Sequence, residues 1–365
     1  MKKIPILTGV LLTLNIIAAI ALIMALLASY TPPSQHAVFS IAALVYPLIL
    51  FANLLCIGLW IILKRKYWLL SLTIILLGVS NLKNNFQISM ADNHTTSDSS
   101  IKIISYNVQL FATDEKGRDS ADLKNHIVQF LKAEGANIIC LQEYHSMDRN
   151  VYTPLINMNN KLLKNSYYYE SYFNPRFDQL SGLVIFSKYK AVNKGKLKFQ
   201  GSRTYGIYTD LLILGDTVRV FNIHLASIRL QASDIDFVMK PAFKDQESFK
   251  NRSASIYTKL SNAFILREQQ MKALQDEITH CSYPIILCGD FNDTPSSYVY
   301  SMLNDNLTDS FIKKGNNLGS TYAGNIPFLR IDYIFTSRHF RVNEFERKKV
   351  GYSDHFPVIS SISYK

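Results

Sequence analysis

Cysteine is scarce in this chain: four residues in 365, with no Cys-x-x-Cys pair and no Cys/His spacing of the kind that builds a zinc site. Cys56 lies inside an apolar run. Cys140 and Cys288 each stand in a strand-like run just before a polar motif, and Cys281 falls close before Cys288. All four read as free, small hydrophobes. Acidic residues are few as well, 28 Asp/Glu against 39 Lys/Arg. Residues 1–100 contain only Asp92 and Asp98, against Lys2, Lys3, Lys64, Arg65, Lys66 and Lys83, and residues 101–365 still carry an excess of seven basic groups. The basic balance is therefore not only a feature of the N-terminal part. It suits a polyanionic or phospholipid substrate, and equally a mildly basic solvated surface. No internal repeat is visible.

Long apolar runs are abundant and confined to the first 83 residues. Residues 6–29 follow Lys2-Lys3, residues 37–63 end in Lys64-Arg65-Lys66, and residues 67–82 form a shorter third run. A spanning helix needs about 20 predominantly apolar residues, so the first two runs qualify and the third is marginal, with an interfacial or re-entrant segment as its alternative. The first run is too long for the apolar core of a signal peptide and is followed by a second of full length. The Lys/Arg bias places both basic clusters in the cytoplasm. Three spans then put everything after residue 83 outside it, and two would leave it inside. The expected arrangement is a multi-pass section of the inner (cell) membrane over residues 1–83, a polar linker over 84–100, and an extracytoplasmic, periplasmic domain over 101–365. No protein partner is implied; the bilayer is.

Residues 101–365 alternate short apolar runs with a few helical ones. Strands are expected at 101–106, 138–141, 183–187, 208–214, 218–223, 285–288, 331–335 and 358–363, with helices at 121–134 and 264–278 and a hairpin turn at Gly215-Asp216. That mixture suggests two packed sheets flanked by helices. Polar groups cluster where strands end: Asn107, Glu143, His224, then Asp290 with Asn292, while Asp354 and His355 precede the last strand. One such residue is an ordinary turn residue. Five such places, all Asp, Glu, Asn or His, point to a common rim.

Hydrolysis of a phosphodiester needs charge neutralisation on the phosphoryl oxygens, a positioned water and help for the leaving oxygen. Glu143 and Asp354 with the Asn107 amide make a sparse oxygen set of the kind Mg²⁺ uses, with Mn²⁺ as the alternative ion. Asp290 is placed to take a proton from water, Asn292 to orient phosphate or water, and His224 and His355 to contact phosphoryl oxygens or assist departure. Asp332, inside the apolar Arg330-Ile331-Asp332-Tyr333-Ile334-Phe335, is a costly unpartnered carboxylate unless it pairs, and His355 is the natural partner. Taken singly, Asn292 also reads as a turn residue and His224 as a core histidine. Arg267 and Gln270 also read as an exposed helical pair.

The ordered set of motifs resembles the endonuclease/exonuclease/phosphatase superfamily, the fold of deoxyribonuclease I, abasic-site endonucleases, neutral sphingomyelinases and inositol-polyphosphate 5-phosphatases. The resemblance runs through Ser105-Tyr106-Asn107-Val108, Gln142-Glu143, Ser181-Gly182-Leu183-Val184, Asn222-Ile223-His224-Leu225 and Arg267 with Gln270. It continues through Gly289-Asp290-Phe291-Asn292, Arg330-Ile331-Asp332-Tyr333 and Ser353-Asp354-His355. It implies a four-layered α/β/β/α sandwich with Mg²⁺ at the strand ends. Glu143 would be the principal ligand, Asp290 and Asn292 would stand at nucleophile and phosphate, and Asp332 would pair with His355. Arg267 and Gln270 would help position substrate. A membrane-anchored phosphodiesterase acting on a phospholipid headgroup, a tethered nuclease, and a catalytically silent binding domain share that fold. Residues 226–261 mix Arg229, Lys240, Lys244, Lys250, Arg252 and Lys259 with Phe237, Phe243, Phe249 and Tyr257. Such a mixture suits a grip on single-stranded nucleic acid, contact with a headgroup layer, or a long surface loop.

Overall fold

The computed structural model describes residues 6–89, 100–111, 120–145, 152–162, 166–174, 179–197, 206–228, 230–240, 245–303, 306–324 and 326–365. Most of the expected linker, Lys2-Lys3, Arg229, Phe243 and Lys244 lie outside them. The chain packs as two units. One comprises Met1–Phe86, Ile228–Glu268 and Asp293–Met302; the other comprises Gln87–Ser227, Gln269–Asn292 and Leu303–Lys365. Two stretches from within residues 101–365 thus belong with the N-terminal helices.

The second unit holds both sheets. In chain order the strands are β1 (Ile101–Asn107), β2 (Ile138–His145), β3 (Ser166–Asn174), β4 (Gln179–Ser187), β5 (Lys190–Leu197), β6 (Gly206–Ile213), β7 (Asp216–His224), β8 (Ile285–Asp290), β9 (Leu307–Asp309), β10 (Asp332–Ser337), β11 (Phe340–Arg347) and β12 (Val358–Tyr364). One sheet has the order β11-β12-β1-β2-β4-β3, the other β5-β6-β7-β8-β10-β9. Their inner faces share a core in which Ile103, Cys140 and Ile185 meet Val220, Cys288 and Ile334. Period-2 alternation sends Ile104 and Tyr106 to the opposite face of β1, where they pack with Ile127 and Leu131 of the helix Ser120–Glu134. All four cysteines are free. The hairpin joining β6 and β7 turns at Leu214 and Gly215, both at positive φ, in the two-residue form that matches strand twist.

Two parallel pairs bring strand ends together. β1 runs parallel to β2 with Asn107 opposite Gln142, and β7 runs parallel to β8 with His224 opposite Asp290. Antiparallel β10 begins at the same rim, with Asp332 opposite Asp290. β12, antiparallel to β1, begins with Val358 opposite Ser105, just after His355. Topology therefore gathers residues distant in sequence onto one edge. Gly289 fixes part of that edge: its φ is 153°, and a Cβ there would strike the Ile223 carbonyl. Gly289→Ala is expected to destabilise the fold by roughly 2–4 kcal/mol, lowering the thermal midpoint by about 5 °C or more. Circular dichroism melting in detergent reads this, and an unchanged midpoint would refute the close approach.

In the first unit, α1 (Ile6–Leu27), α2 (Pro33–Leu44), α3 (Tyr46–Ile62), α4 (Trp68–Leu77) and α5 (Val79–Asn85) precede the linker. Among the described residues, only α1 is by itself long and apolar enough to cross a membrane. The expected span over 37–63 is instead the pair α2 and α3, bent by 60°; Pro47, in the first turn of α3, leaves the break at Val45 without a helical N–H donor two residues on. The third run breaks at Gly78. The expected linker begins inside α5, and Gln87 bridges to Asn317 in the second unit.

Polarity in this bundle is inverted. Ile6, Leu14, Ile17, Ile20, Phe51, Leu55 and Leu77 are exposed, while Asn15, Asn53, Ser71 and Trp60 are buried. Asn15 Nδ2 donates to Ser71 Oγ (2.8 Å), Ser71 Oγ to Asn53 Oδ1 (2.8 Å) and Trp60 Nε1 to Asn15 Oδ1 (2.7 Å). A chain of satisfied side-chain bonds thus ties α1, α3 and α4 together. The segment 226–261, for which a long surface loop was one of three readings, is mostly helical where described. α6 (Ser120–Glu134) and α7 (Tyr152–Leu162) belong to the second unit, followed by α8 (Ala232–Met239) and the long α9 (Gln246–Thr279). α9 starts 18 residues before the expected 264. Ile256, Leu260 and Phe264, at i, i+4, i+8, pack with Ile41 and Leu44 of α2 and with Phe237.

Candidate active site

Asp290 closes β8 and sits at the centre of the rim, fully buried. Its Oδ2 accepts from Asn107 Nδ2 (3.0 Å) and lies 3.6 Å from His224 Nε2 and 3.8 Å from His355 Nε2. Its Oδ1 accepts from the Asn292 N–H (2.8 Å). Burial pushes the Asp290 carboxyl upward, opposed by His355 and reinforced by Asp332. A carboxylate that holds its proton more tightly is a stronger base.

Glu143 is turned to the rim by an irregularity in β2. The register with β4 shifts between Leu141 and Tyr144, and Glu143 itself has φ 51°. A bulge combined with a left-handed non-glycine residue costs free energy and re-aims a side chain. Glu143 Oε1 lies 3.4 Å from Asn107 Nδ2 and 3.6 Å from His224 Nε2. Asn292, at φ 52°, is the other left-handed residue of the rim named from sequence, and its Nδ2 donates to the Leu225 carbonyl (3.0 Å).

His355 and Asp332 form the expected pair, with Nδ1 2.9 and 3.1 Å from the two carboxylate oxygens. A carboxylate there makes Nδ1 the donor and leaves Nε2 facing Asp290 and Asp354, the latter at 4.0 Å. Burial opposes a charge on this imidazole, but Asp332 and then Asp290 outweigh it, so His355 stays protonated well above the ordinary range. Asp354 is pushed up to about 6, first by burial and then by Glu143, Asp290 and Asp332, against the pull of His355.

Every metal or catalytic residue named from sequence except the helical pair therefore meets on this rim. The Asn107 amide donates to Asp290 and Glu143, while its Oδ1 accepts from the Gln109 N–H (3.0 Å). Within α9, Arg267 pairs with Asp293 (3.3 Å), and Gln270 Oε1 accepts the Ala226 N–H (2.8 Å), two residues past His224. The group Asp290, Asp332 and His355 could hold a metal ion, its ligand atoms lying within 4.8 Å of one another. An imidazolium already bonded to Asp332 is a poor ligand, however. Glu143 and Asp354 add further carboxylate oxygens to the same rim, the ligand type that a hard divalent ion takes.

Three contributors were given no role from the sequence, although Gln142 and Asn222 stand inside its motifs. Gln142 Nε2 donates to Asn222 Oδ1 (2.7 Å), and Asn222 Nδ2 to the carbonyls of Leu141 and Val184 (2.9 Å each), a buried bridge that pins one sheet to the other beneath the rim. Gln109, Leu110 and Phe111 form a left-handed turn (φ 47°, 56° and 53°), and Gln109 Oε1 accepts the Asp354 N–H (3.0 Å). Tyr322 stands edge-on to His355, ring centroids 5.4 Å apart.

Residues 104–355 match the profile of the Endonuclease/Exonuclease/phosphatase family, spanning all these motifs. The chain belongs to that family. Residues 8–85 match a separate profile, that of a domain of unknown function. Solved structures agree on the fold. An endonuclease/exonuclease/phosphatase from Beutenbergia cavernae is 16% identical with a TM-score of 0.54, covering 73% of this chain and 72% of that one. The human Nocturnin catalytic domain with bound sulfate is 18% identical (TM-score 0.52; 73% and 95% covered). D. rerio TDP2 complexed with a single-strand DNA product is 16% identical (TM-score 0.50; 73% and 100% covered). No curated protein matches the chain. The family's sandwich is thus the architecture here, two mixed sheets with helices outside them.

Proposed function

We propose that this chain is a membrane-anchored, divalent-metal-dependent phosphoesterase that hydrolyses a phosphodiester by in-line attack of water. The convergence of Glu143, Asp290 and Asp354 with two buried imidazoles carries this reading. Asp290, buried and poised upward, takes the proton of the attacking water. His355, kept cationic and oriented by Asp332, faces the phosphoryl oxygens and donates toward the departing oxygen. His224 Nε2, between Glu143 and Asp290, gives a second polar contact on the same side. Asn292, anchored through Leu225, presents its amide to the phosphate. Mg²⁺ held by the Glu143 and Asp354 carboxylates, with Asn107 fixing their orientation, would supply charge neutralisation on the phosphoryl oxygens.

We read the helical section as three crossings: α1, the bent pair α2 and α3, and the short α4 with α5. Ser29, Ser34, Ala43 and Asn85 all hydrogen-bond to residues of Glu268–Ser301, so the link after α1 and the end of α5 share one end of the bundle. Lys64-Arg65-Lys66 follows α3 at the other end, which the positive-inside bias assigns to the cytoplasm. Within Ile228–Glu268, Arg252 lies over the Phe237 ring and donates to the Ser233 carbonyl, and Lys259 pairs with Asp234 (2.6 Å). These side chains are engaged within α8 and α9 themselves; the apolar helical section, rather than this segment, favours a headgroup substrate over nucleic acid.

Full-length protein in detergent with Mg²⁺ is to be offered plasmid DNA, sphingomyelin vesicles and bis-p-nitrophenyl phosphate in parallel. Turnover of the lipid and the small diester without nicking is the expected result. Nicking without lipid turnover would move the assignment to a tethered nuclease, and no turnover of any of the three would sink the phosphoesterase reading.

A further inference from the structure

The chain that follows Asn292 does not return to the sheets at once. Asp293–Met302 packs in the same unit as the membrane helices. Asn85 Nδ2, at the end of α5, donates to Ser296 Oγ (2.9 Å), and Ser29 Oγ donates to the Ser296 carbonyl (3.0 Å). Ser301 Oγ donates back to the Ser29 carbonyl (2.6 Å), and Thr294 Oγ1 to that of Ala43 in α2 (3.2 Å). A second clamp joins α2 to α9. Glu268 accepts from both the Ser34 N–H (2.9 Å) and Ser34 Oγ (3.0 Å), below the contact of Ile41 and Leu44 with Ile256, Leu260 and Phe264. Between the clamps Arg267 pairs with Asp293, and both are buried.

Buried polar groups matched this closely are expensive to leave half-satisfied. A helical section serving only as a leash would need none of them. Both clamped stretches adjoin rim residues along the chain: Thr294 lies two residues past Asn292, and Glu268 two before Gln270, which holds the Ala226 N–H.

We propose that the helical section is a working part of the enzyme, and that Asn85 and Glu268 are positioning residues: through Ser296 and Ser34 they hold the Asp293–Ser297 corner and the Arg267 turn of α9 in the geometry the rim needs. The kinetic half of this rests on the phosphoesterase reading above; the structural half does not. The section thereby couples bilayer insertion to the order of the corner next to Asn292. A preparation stripped of residues 1–86 lacks half of each clamp.

Hydrogen exchange of the full-length protein in nanodiscs tests the structural half directly. In the double variant Asn85→Ala, Glu268→Ala the amides of residues 292–297 are expected to exchange about tenfold faster or more, while those of β1 and β12 stay as protected as in the parent. The kcat for bis-p-nitrophenyl phosphate should fall by about tenfold with KM little changed, a misplacement effect rather than lost binding. Glu268→Gln alone, which keeps an acceptor for Ser34, should fall less. Unchanged exchange at 292–297 overturns the proposal, and so does faster exchange with unchanged kcat. A parent without phosphoester turnover but with the faster exchange in the variant removes the activity reading and leaves the clamp standing.

Discussion

Asp290→Asn is expected to lower turnover by about 10³-fold or more while leaving the protein folded, the scale set by losing a general base in a preorganised site. The substitution preserves volume, so the core behind β8, with Cys288 and Ile286, is undisturbed. It does not preserve chemistry. In one amide orientation Oδ1 still accepts from the Asn292 N–H, but the new NH₂ faces the Asn107 Nδ2 donor, where the carboxylate accepted at 3.0 Å. In the other orientation the conflict moves to Asn292. Either way one donor faces another, at a cost of about 1–3 kcal/mol. Removing a fully buried carboxylate offsets this, since burial already raises Asp290 against its charge. Stability should therefore change little while activity collapses, and a melting curve with a steady-state assay separates the two. The substitution also withdraws one of the charges that hold His355 protonated, after Asp332. Any residual activity should lose its alkaline limb at lower pH than the parent. Turnover within tenfold of the parent would remove Asp290 from the role of base.

Much of this site was legible because the chemistry sits where strands stop. The apolar runs ending at Asn107, His224 and Asp290 are strands in the structure, and two parallel pairs are enough to line their ends up. Asp332 was legible for a different reason: a carboxylate inside an apolar strand needs a partner, and His355 is that partner at 2.9 Å. The bulge that delivers Glu143 and the left-handed turn at Gln109–Phe111 were not legible. Each depends on tertiary contacts overriding the usual aversion of non-glycine residues to positive φ. Tyr322 lies in an irregular stretch with no periodicity to mark it. The N-terminal part of α9 could have been read. Ile256, Leu260 and Phe264 make a helical stripe, but the basic and aromatic residues around it drew the reading to surface contacts, and only packing on Ile41 and Leu44 shows what the stripe is for. Hydropathy finds the run over 37–63 but is blind to the 60° bend, which decides that α2 is free to hold α9.

Removing divalent metal should abolish turnover, with a loss of about 10³-fold or more in excess chelator and full recovery on adding Mg²⁺. The argument is electrostatic. Glu143, Asp290, Asp332 and Asp354 crowd one rim, and two imidazoles cannot balance four carboxylates. Without a metal the cluster relieves its repulsion by holding a proton, which is why Asp354 is pushed up to about 6 by burial and by Glu143, Asp290 and Asp332. Proton and metal then compete for the same oxygens. Above about pH 6 Asp354 is already a carboxylate and the Mg²⁺ concentration for half-maximal activity should be flat with pH. Below that it should rise by about tenfold for each unit, one proton being displaced per ion bound. Glu143→Gln removes a ligand charge without changing shape and should raise the required Mg²⁺ by about 10–100-fold. Asp332→Asn should leave that requirement nearly unchanged while lowering kcat, because Asp332 acts through the His355 ring it holds at Nδ1. Isothermal titration with Mg²⁺ at several pH values reads the competition apart from catalysis. Full activity in chelator, or a metal requirement indifferent to both Glu143 and pH, would mean that the carboxylate cluster serves the imidazoles rather than an ion.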